Sequence, residues 1–299
     1  MTLYIFNPEH DLCLANGDRN FVPPASALAF ASQGKGIMSI LYGDAACVVA
    51  ADELCGWIAD NGLECVDSIV PWGWDYRVRQ MALRAGVAPS LLPSDEYIDM
   101  IVRCQHRTRI LPLQEHARCA KTVEEVEALL TAVGRIVLKA PLSGAGRGLR
   151  WVDATLSEHD RRWIEKTAAM QQCVIVEERL DVADDFAIEF WREADSIVNM
   201  GLSLFATQSG VYRHNILLND DAIRERLHLD ATVEMRIAKW LMENLDDYCG
   251  PVGVDMMRTT DGRLVVGEIN LRHTMGMVAH KVLQMHPEQE GRHWLPAKK

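Results

Sequence analysis

One short stretch near the C-terminal end limits the fold more than any other: Gly253-Val254-Asp255-Met256-Met257-Arg258-Thr259-Thr260-Asp261-Gly262-Arg263-Leu264-Val265-Val266-Gly267-Glu268-Ile269-Asn270. Asp261-Gly262 is a favoured two-residue hairpin turn between two β-rich runs. With that loop Thr260 faces Arg263, and counting outward sets Asp255 directly opposite Glu268. Alternate residues of a strand share a face, so Asn270 projects with Glu268 and Asp255. Directly opposed Cβ atoms lie only about 5 Å apart, and like charges there repel. A divalent cation would resolve the repulsion. Two carboxylates and an amide oxygen are hard ligands that suit Mg²⁺, or Mn²⁺, shared with phosphate oxygens. The competing reading is an edge hairpin whose acids face water. A three-residue loop with a bulge would spoil the count.

A second feature is Lys139-Ala140-Pro141-Leu142-Ser143-Gly144-Ala145-Gly146-Arg147-Gly148, between two strand-like runs. Glycines at alternate positions let backbone N–H groups approach an anion. Ser143 adds a hydroxyl, and Lys139 can reach phosphate as a point charge. No G-K-[ST] follows and the next element reads as a strand, so this is not a Walker loop. Nor is it a dinucleotide fingerprint, which needs a helix and an acidic partner. A flexible hairpin is the plain alternative.

The first third alternates strands (3–6, 36–41, 68–70) with helices (25–32, 45–60, 76–85, 95–104). That rhythm predicts a parallel α/β lobe with βα loops at one edge. From about residue 120 a β-loop-β-α-β order follows. Thr122 and Glu125 form a capping box for a helix over 123–132. Strands are expected at 135–139, 148–152 and 173–177, with a helix from Ser157 to about 171. The last part predicts strands at 186–191, 197–205, 252–258 and 263–269, and an amphipathic helix at 231–245. The expected units are 1–110, 111–178 and 179–299.

Of the 299 residues, 31 are basic and 42 acidic, for a net charge of −11. An acidic surface argues against general nucleic-acid binding. No apolar run is long enough to span a membrane, and the N-terminus lacks the features of a signal peptide. The eight cysteines include no C-x-x-C pair, which argues against a zinc site and fits buried thiols in a reducing cytoplasm.

Taken together, these segments resemble the ATP-grasp superfamily, from about residue 105 to the region of His280. The resemblance implies an N-terminal α/β domain followed by two α+β lobes that clasp ATP. It makes Lys139, Ser143, Gly144 and Gly146 a phosphate-covering element. Val174-Ile175-Val176-Glu177-Glu178-Arg179-Leu180 looks like the hinge strand that holds adenine. Glu177 would then accept from the adenine amino group, with the backbones of Glu178 and Leu180 on the base edge. Asp185 matches the ribose-binding acid, at a spacing one residue longer than in the family's D-alanine ligases. Asp255, Glu268 and Asn270 fall on the magnesium ligands. Glu268-Ile269-Asn270-Leu271-Arg272 resembles the E-[VI]-N-P-R segment of carboxylase members, with leucine for proline.

The family's first lysine is missing from Gln105-His106-Arg107-Thr108-Arg109. Arg107 or Arg109 would have to substitute, or both are solvent-facing charges. The chemistry implied is activation of a carboxylate as an acyl phosphate and attack by an amine. Phosphotransfer and nucleotide binding without turnover remain as alternatives. Arg272 and Lys139 would be catalytic, Arg272 clamping phosphate bidentately, unless Arg272 is a surface charge. Substrates would be a small carboxylate and an amine. Arg213, Asn215 and His10 are candidates to hold them, against an exposed strand for the first two and a helix cap for His10. Trp72 and Trp74 read as packing. The family often forms homodimers.

Overall fold

Hydrophobic alternation starts β1 (Thr2–Phe6), which buries Leu3, Ile5 and Phe6. β2 (Cys47–Ala50) and β3 (Ser68–Pro71) flank it in parallel, in the order β2-β1-β3. Parallel neighbours need crossovers. α1 (His10–Asn16), α2 (Ala25–Gln33) and α3 (Gly36–Tyr42) make the first, and α4 (Leu54–Asn61) the second. α5 (Tyr76–Arg84) and α6 (Asp95–Gln105) complete this part, each started by a side-chain cap, Asp75 and Ser94. The computed structural model describes residues 1–144 and 148–296, so the expectation placed on Gly146 lies outside the described residues.

Two expectations fail here. The run 36–41 is a helix, not a strand. It buries Ile37 and Met38 in a cluster shared with Val278 and Val282, so tertiary packing overrides its β-branched composition. The run 45–60 is not one helix. Its Val48-Val49 segment pairs with β1 as β2, and only Leu54–Asn61 is α-helical.

An antiparallel sheet of order β4-β7-β5-β6 follows: β4 (Ala117–Ala120), β5 (Arg135–Lys139), β6 (Leu149–Asp153) and β7 (Val174–Glu178). α7 (Val123–Val133) and α8 (Glu158–Gln171) pack on it through Val126, Leu130 and Ile164. Thr122 caps α7, and Ser157 with Asp160 forms a capping box on α8. The sequence did not announce β4. It has four residues, and Arg118 and Cys119 face outward.

The largest sheet runs β12-β11-β8-β9-β10-β13, from β8 (Val182–Arg192), β9 (Ile197–Gln208), β10 (Val211–Ile216), β11 (Gly250–Thr259), β12 (Leu264–Asn270) and β13 (His293–Trp294). One face buries Phe186, Ile188, Phe190, Val252 and Val254 with Ile223 of α9 (Asp220–Leu227) and Ile237 and Leu241 of α10 (Ala231–Asn244). Each such side chain stabilises by about 1.5–3 kcal/mol. α11 (Met275–Met285) follows β12 and packs against α3. The chain is thus α/β in its first part and α+β after it. Among the described residues, no helix is long and apolar enough to cross a membrane.

The β11–β12 hairpin keeps Asp255 opposite Glu268 by a different route from the one expected. Its turn is a three-residue loop, because Thr259 N–H donates to the Arg263 carbonyl at 2.9 Å. Near the turn Met256 therefore faces Val266 and Arg258 faces Leu264. A bulge at Gly267 then inserts one residue and returns Asp255 to Glu268. The loop was misread, and the bulge cancels the misreading.

Candidate active site

The uncovered face of the six-stranded sheet, the small antiparallel sheet and the loop after β1 enclose a cavity of about 1140 Å³. Alternation along four strands builds its floor. β8 contributes Asp185 and Glu189, β9 Ser203 and Phe205, β11 Asp255, and β12 Glu268 and Asn270. Lys139, Ser143, Gly144, Glu177, Glu178 and Leu180 line the opposite side, and Arg272 and Asn215 also reach the cavity. Most of the candidates named from sequence therefore face one space.

The carboxylate pair is electrostatically unsettled. Burial first, then the charges of Glu268 and Glu189, push the Asp255 carboxyl well above the ordinary range. Glu268 receives one end of the Arg107 guanidinium. Asn270 donates from Nδ2 to Asp255 Oδ2 at 3.1 Å, and its Oδ1 accepts from Arg272 at 3.0 Å. As arranged, Asn270 shows its nitrogen to Asp255, so ligation through oxygen needs the amide to turn over. Among the described residues no three His, Cys, Asp or Glu side chains cluster as a metal site. Two carboxylates are nonetheless enough for a cation that takes its other ligands from phosphate and water.

Arg107 is buried in the space between the glycine segment and the floor. Its Nη1 donates to the Ala140 carbonyl at 2.6 Å and to Ser143 Oγ at 2.9 Å. Arg109 turns away to the Asn244 carbonyl at 2.7 Å and is exposed, so of the two only Arg107 reaches the cavity. Gly144 sits against the first lobe: a Cβ there would come within 2.6 Å of Asp11 Cβ.

At the hinge, Lys139 Nζ holds Glu177 Oε2 at 2.7 Å. Burial works against ionisation of Glu177, but the Lys139 charge and the His116 hydrogen bond outweigh it and hold the carboxyl at about 2. Glu177 Oε1 is buried with no partner among the described residues. The Glu178 N–H is taken by the His116 carbonyl at 2.9 Å. Asp185 accepts from Thr207 Oγ1 at 2.7 Å.

Three expectations need correction. Arg272 is not a surface charge, and it does not present a free two-pronged clamp. Its Nε and Nη2 grip Asp11 at 3.1 and 2.8 Å. Burial opposes the Asp11 charge, yet Arg272 holds that carboxyl far below its usual range. His10 does not line the cavity. It is fully buried behind Asp11, with Nδ1 3.2 Å from Asp11 Oδ1 and Nε2 3.1 Å from the Trp74 carbonyl. Arg213 points outward to Gln208 at 2.6 Å because its strand position faces solvent. Asn215 is buried, with its Oδ1 accepting from Tyr212 at 2.6 Å.

Sequence reasoning missed Asp11 as the partner of Arg272, although it lies in the polar cluster after β1. It also missed Glu189. The one available signal for Glu189 was an acid inside the apolar run Phe186–Trp191.

The ATP-grasp domain matches residues 107–286 of this chain. Solved structures share the fold. N5-carboxyaminoimidazole synthetase from Staphylococcus aureus, complexed with ADP, superposes with a TM-score of 0.55 at 12% identity, over 94% of this chain and 76% of its own. Biotin carboxylase from Campylobacter jejuni gives 0.54 at 14%, over 99% and 72%. The biotin carboxylase domain of Hydrogenobacter thermophilus 2-oxoglutarate carboxylase, in complex with MgADP and bicarbonate, gives 0.55 at 13%, over 95% and 69%. No curated protein matches in sequence.

Proposed function

Because this chain belongs to the ATP-grasp family, we propose that it is an ATP- and Mg²⁺-dependent ligase that activates a carboxylate as an acyl phosphate for attack by an amine. The observation that carries this reading is the facing Asp255–Glu268 pair on the floor of a cavity whose other side holds Lys139 and the hinge. Three units contribute, over 1–110, 111–178 and 179–299. The fit to nucleotide rests on the unpartnered Glu177 Oε1, a ready acceptor for an adenine amino group. The fit to metal rests on Asp255, which burial and Glu268 disfavour as an anion until a cation arrives.

In this reading the Glu178 carbonyl and the Leu180 N–H meet the adenine edge, and Asp185 holds ribose. Lys139, Arg107 and Ser143 face the phosphates, where Arg107 stands in for the family's missing lysine. Bound Mg²⁺, or Mn²⁺, neutralises charge that builds on the transferred phosphoryl group. Arg272, held rigid by Asp11, supplies a fixed positive charge toward the reacting carboxylate and frees one N–H rather than two. Asn215 lies on the same floor as a hydrogen-bonding group for substrate.

The test is ADP release with Mg²⁺ over amino acids, small peptides and dicarboxylates, with hydroxylamine present to trap an acyl phosphate as its hydroxamate. Carboxylate-dependent ADP and hydroxamate support the ligase. A stable phosphorylated product instead points to phosphotransfer, and nucleotide binding with no ADP release across the panel overturns both.

A further inference from the structure

Glu189 is a buried carboxylate of the cleft to which the reading above gives no role. It is 1% exposed yet lines the cavity. Its Oε1 accepts from Ser203 Oγ at 3.0 Å and its Oε2 from Thr274 Oγ1 at 2.8 Å. The same Thr274 hydroxyl accepts from Met277 N–H at 3.1 Å and so caps α11. Its proton is directed at Glu189, which accepts there in its ionised form. The positive end of α11 favours the ionised carboxylate further.

Glycines clear the volume that this carboxylate occupies. Gly253 pairs with Glu189 across the sheet, and a Cβ there would lie 3.1 Å from Oε2. A Cβ on Gly276 would land on Oε1. Three other acids of the cleft differ: Glu177, Glu268 and Asp11 each meet a lysine or arginine, whereas Asp255 meets an amide and Asp185 a hydroxyl. Among the described residues, the polar partners of Glu189 are hydroxyls alone. A buried carboxylate whose one helping charge, Arg272, is already gripped by Asp11 calls for a proton or a cationic ligand. Burial raises its carboxyl to about 7, against the pull of the two hydroxyls and of the Arg272 charge. Met275, next to Thr274 in the chain, lines the same cavity, as do the apolar Leu12 and Phe30, the last 40% exposed. Toward the metal end, Gly253 is two residues from Asp255 on one strand face, so Glu189 is a diagonal neighbour of the phosphate-binding floor.

We infer that Glu189 binds the ammonium group of the acceptor substrate, a primary amine carrying an apolar or aromatic body. The attack step rests on the ligase reading, whereas the binding does not. Glu189 takes one proton from the ammonium. The freed lone pair forms the C–N bond at the acyl carbon, the C–O bond to phosphate breaks, and phosphate leaves with that electron pair and collects the second nitrogen-bound proton. Glu189 then returns its proton to solvent.

The experiment is calorimetric titration of benzylamine, 2-phenylethylamine and hexylamine at about pH 8, each beside its alcohol counterpart. The protein carries Mg²⁺ and a non-hydrolysable ATP analogue. At least one amine should bind about tenfold more tightly than its alcohol. Glu189→Gln should reduce that preference to less than about twofold while the ATP analogue still binds. Gly276→Ala, which displaces the carboxylate without removing it, should do the same. Absence of any amine preference in the wild type overturns the inference. So does a preference that survives Glu189→Gln, because an amide replaces only a protonated acid. A preference that is present and then lost, in a protein that releases no ADP with any carboxylate, sinks the ligase and leaves the amine site standing.

Discussion

Three cations of the cleft each have an acid of their own: Lys139 has Glu177, Arg107 has Glu268 and Arg272 has Asp11. In the same cleft Glu189 has two hydroxyls and Asp255 an amide. The paired groups are organised before any ligand arrives, so their charges hold geometry. The unpaired groups are settled only by something that enters. The difference separates side chains that build the site from side chains that wait for its contents.

Breaking the pair that joins two lobes should have the largest effect. Asp11→Ala leaves the Arg272 charge buried and uncompensated, at a cost of about 3–5 kcal/mol in unfolding free energy. Asp11→Ala with Arg272→Met should recover most of it. Urea denaturation checks both, and an unchanged midpoint for Asp11→Ala would show that the pair does not hold in solution.

Asp255→Asn acts at the unpaired centre and should separate activity from stability. Metal-dependent ADP release should fall at least about a hundredfold. The melting temperature should rise, since one of two repelling carboxylates is gone. A variant that loses activity and stability together would count against the repulsion argument.

Glu177 sharpens the contrast through pH. Its folded carboxyl sits at about 2 against an ordinary 4.5, so its stabilisation is complete above about pH 4.5 and is lost as pH falls toward 2. Glu177→Gln should remove about 3 kcal/mol of acid sensitivity from that window. Parallel stability curves for the two proteins below pH 4.5 would refute the ion pair.

The smallest effect is expected at the bulge. A Cβ on Gly267 would lie 3.2 Å from the Asp255 carbonyl oxygen. Gly267→Ala should cost about 1 kcal/mol in stability and lower apparent Mg²⁺ affinity by tilting Asp255 away from Glu268. Equal metal dependence in mutant and wild type would mean that the bulge tolerates the methyl group.

What could be read along the chain was local. Helices with capping side chains, such as those begun by Thr122 and Ser157, stood out because cap and period lie within one or two turns. The hinge strand 174–178 and the hairpin acids stood out because alternation is a property of a single strand. The two misread segments, 36–41 and 45–60, are short apolar runs in which helix and strand periods cannot be told apart. Packing against α11 and pairing with β1 decided them. Arg213 and His10 were misplaced for a related reason, since polarity in a loop does not say which way a side chain points.

By itself the sequence carried the alternation that puts Glu268 and Asn270 on one strand face and the glycine segment behind Lys139, whereas a bulge at Gly267 returned Asp255 to that face. Tertiary structure alone decided that Asp11, from the first lobe, would fill the fork of Arg272 and that Glu189 would be left with hydroxyls for company. The bonds from Thr274 to Glu189 and from Arg272 to Asp11 span 85 and 261 positions of chain. Periodicity carries no information at that separation, where shape and charge are matched only after the lobes have closed on one another.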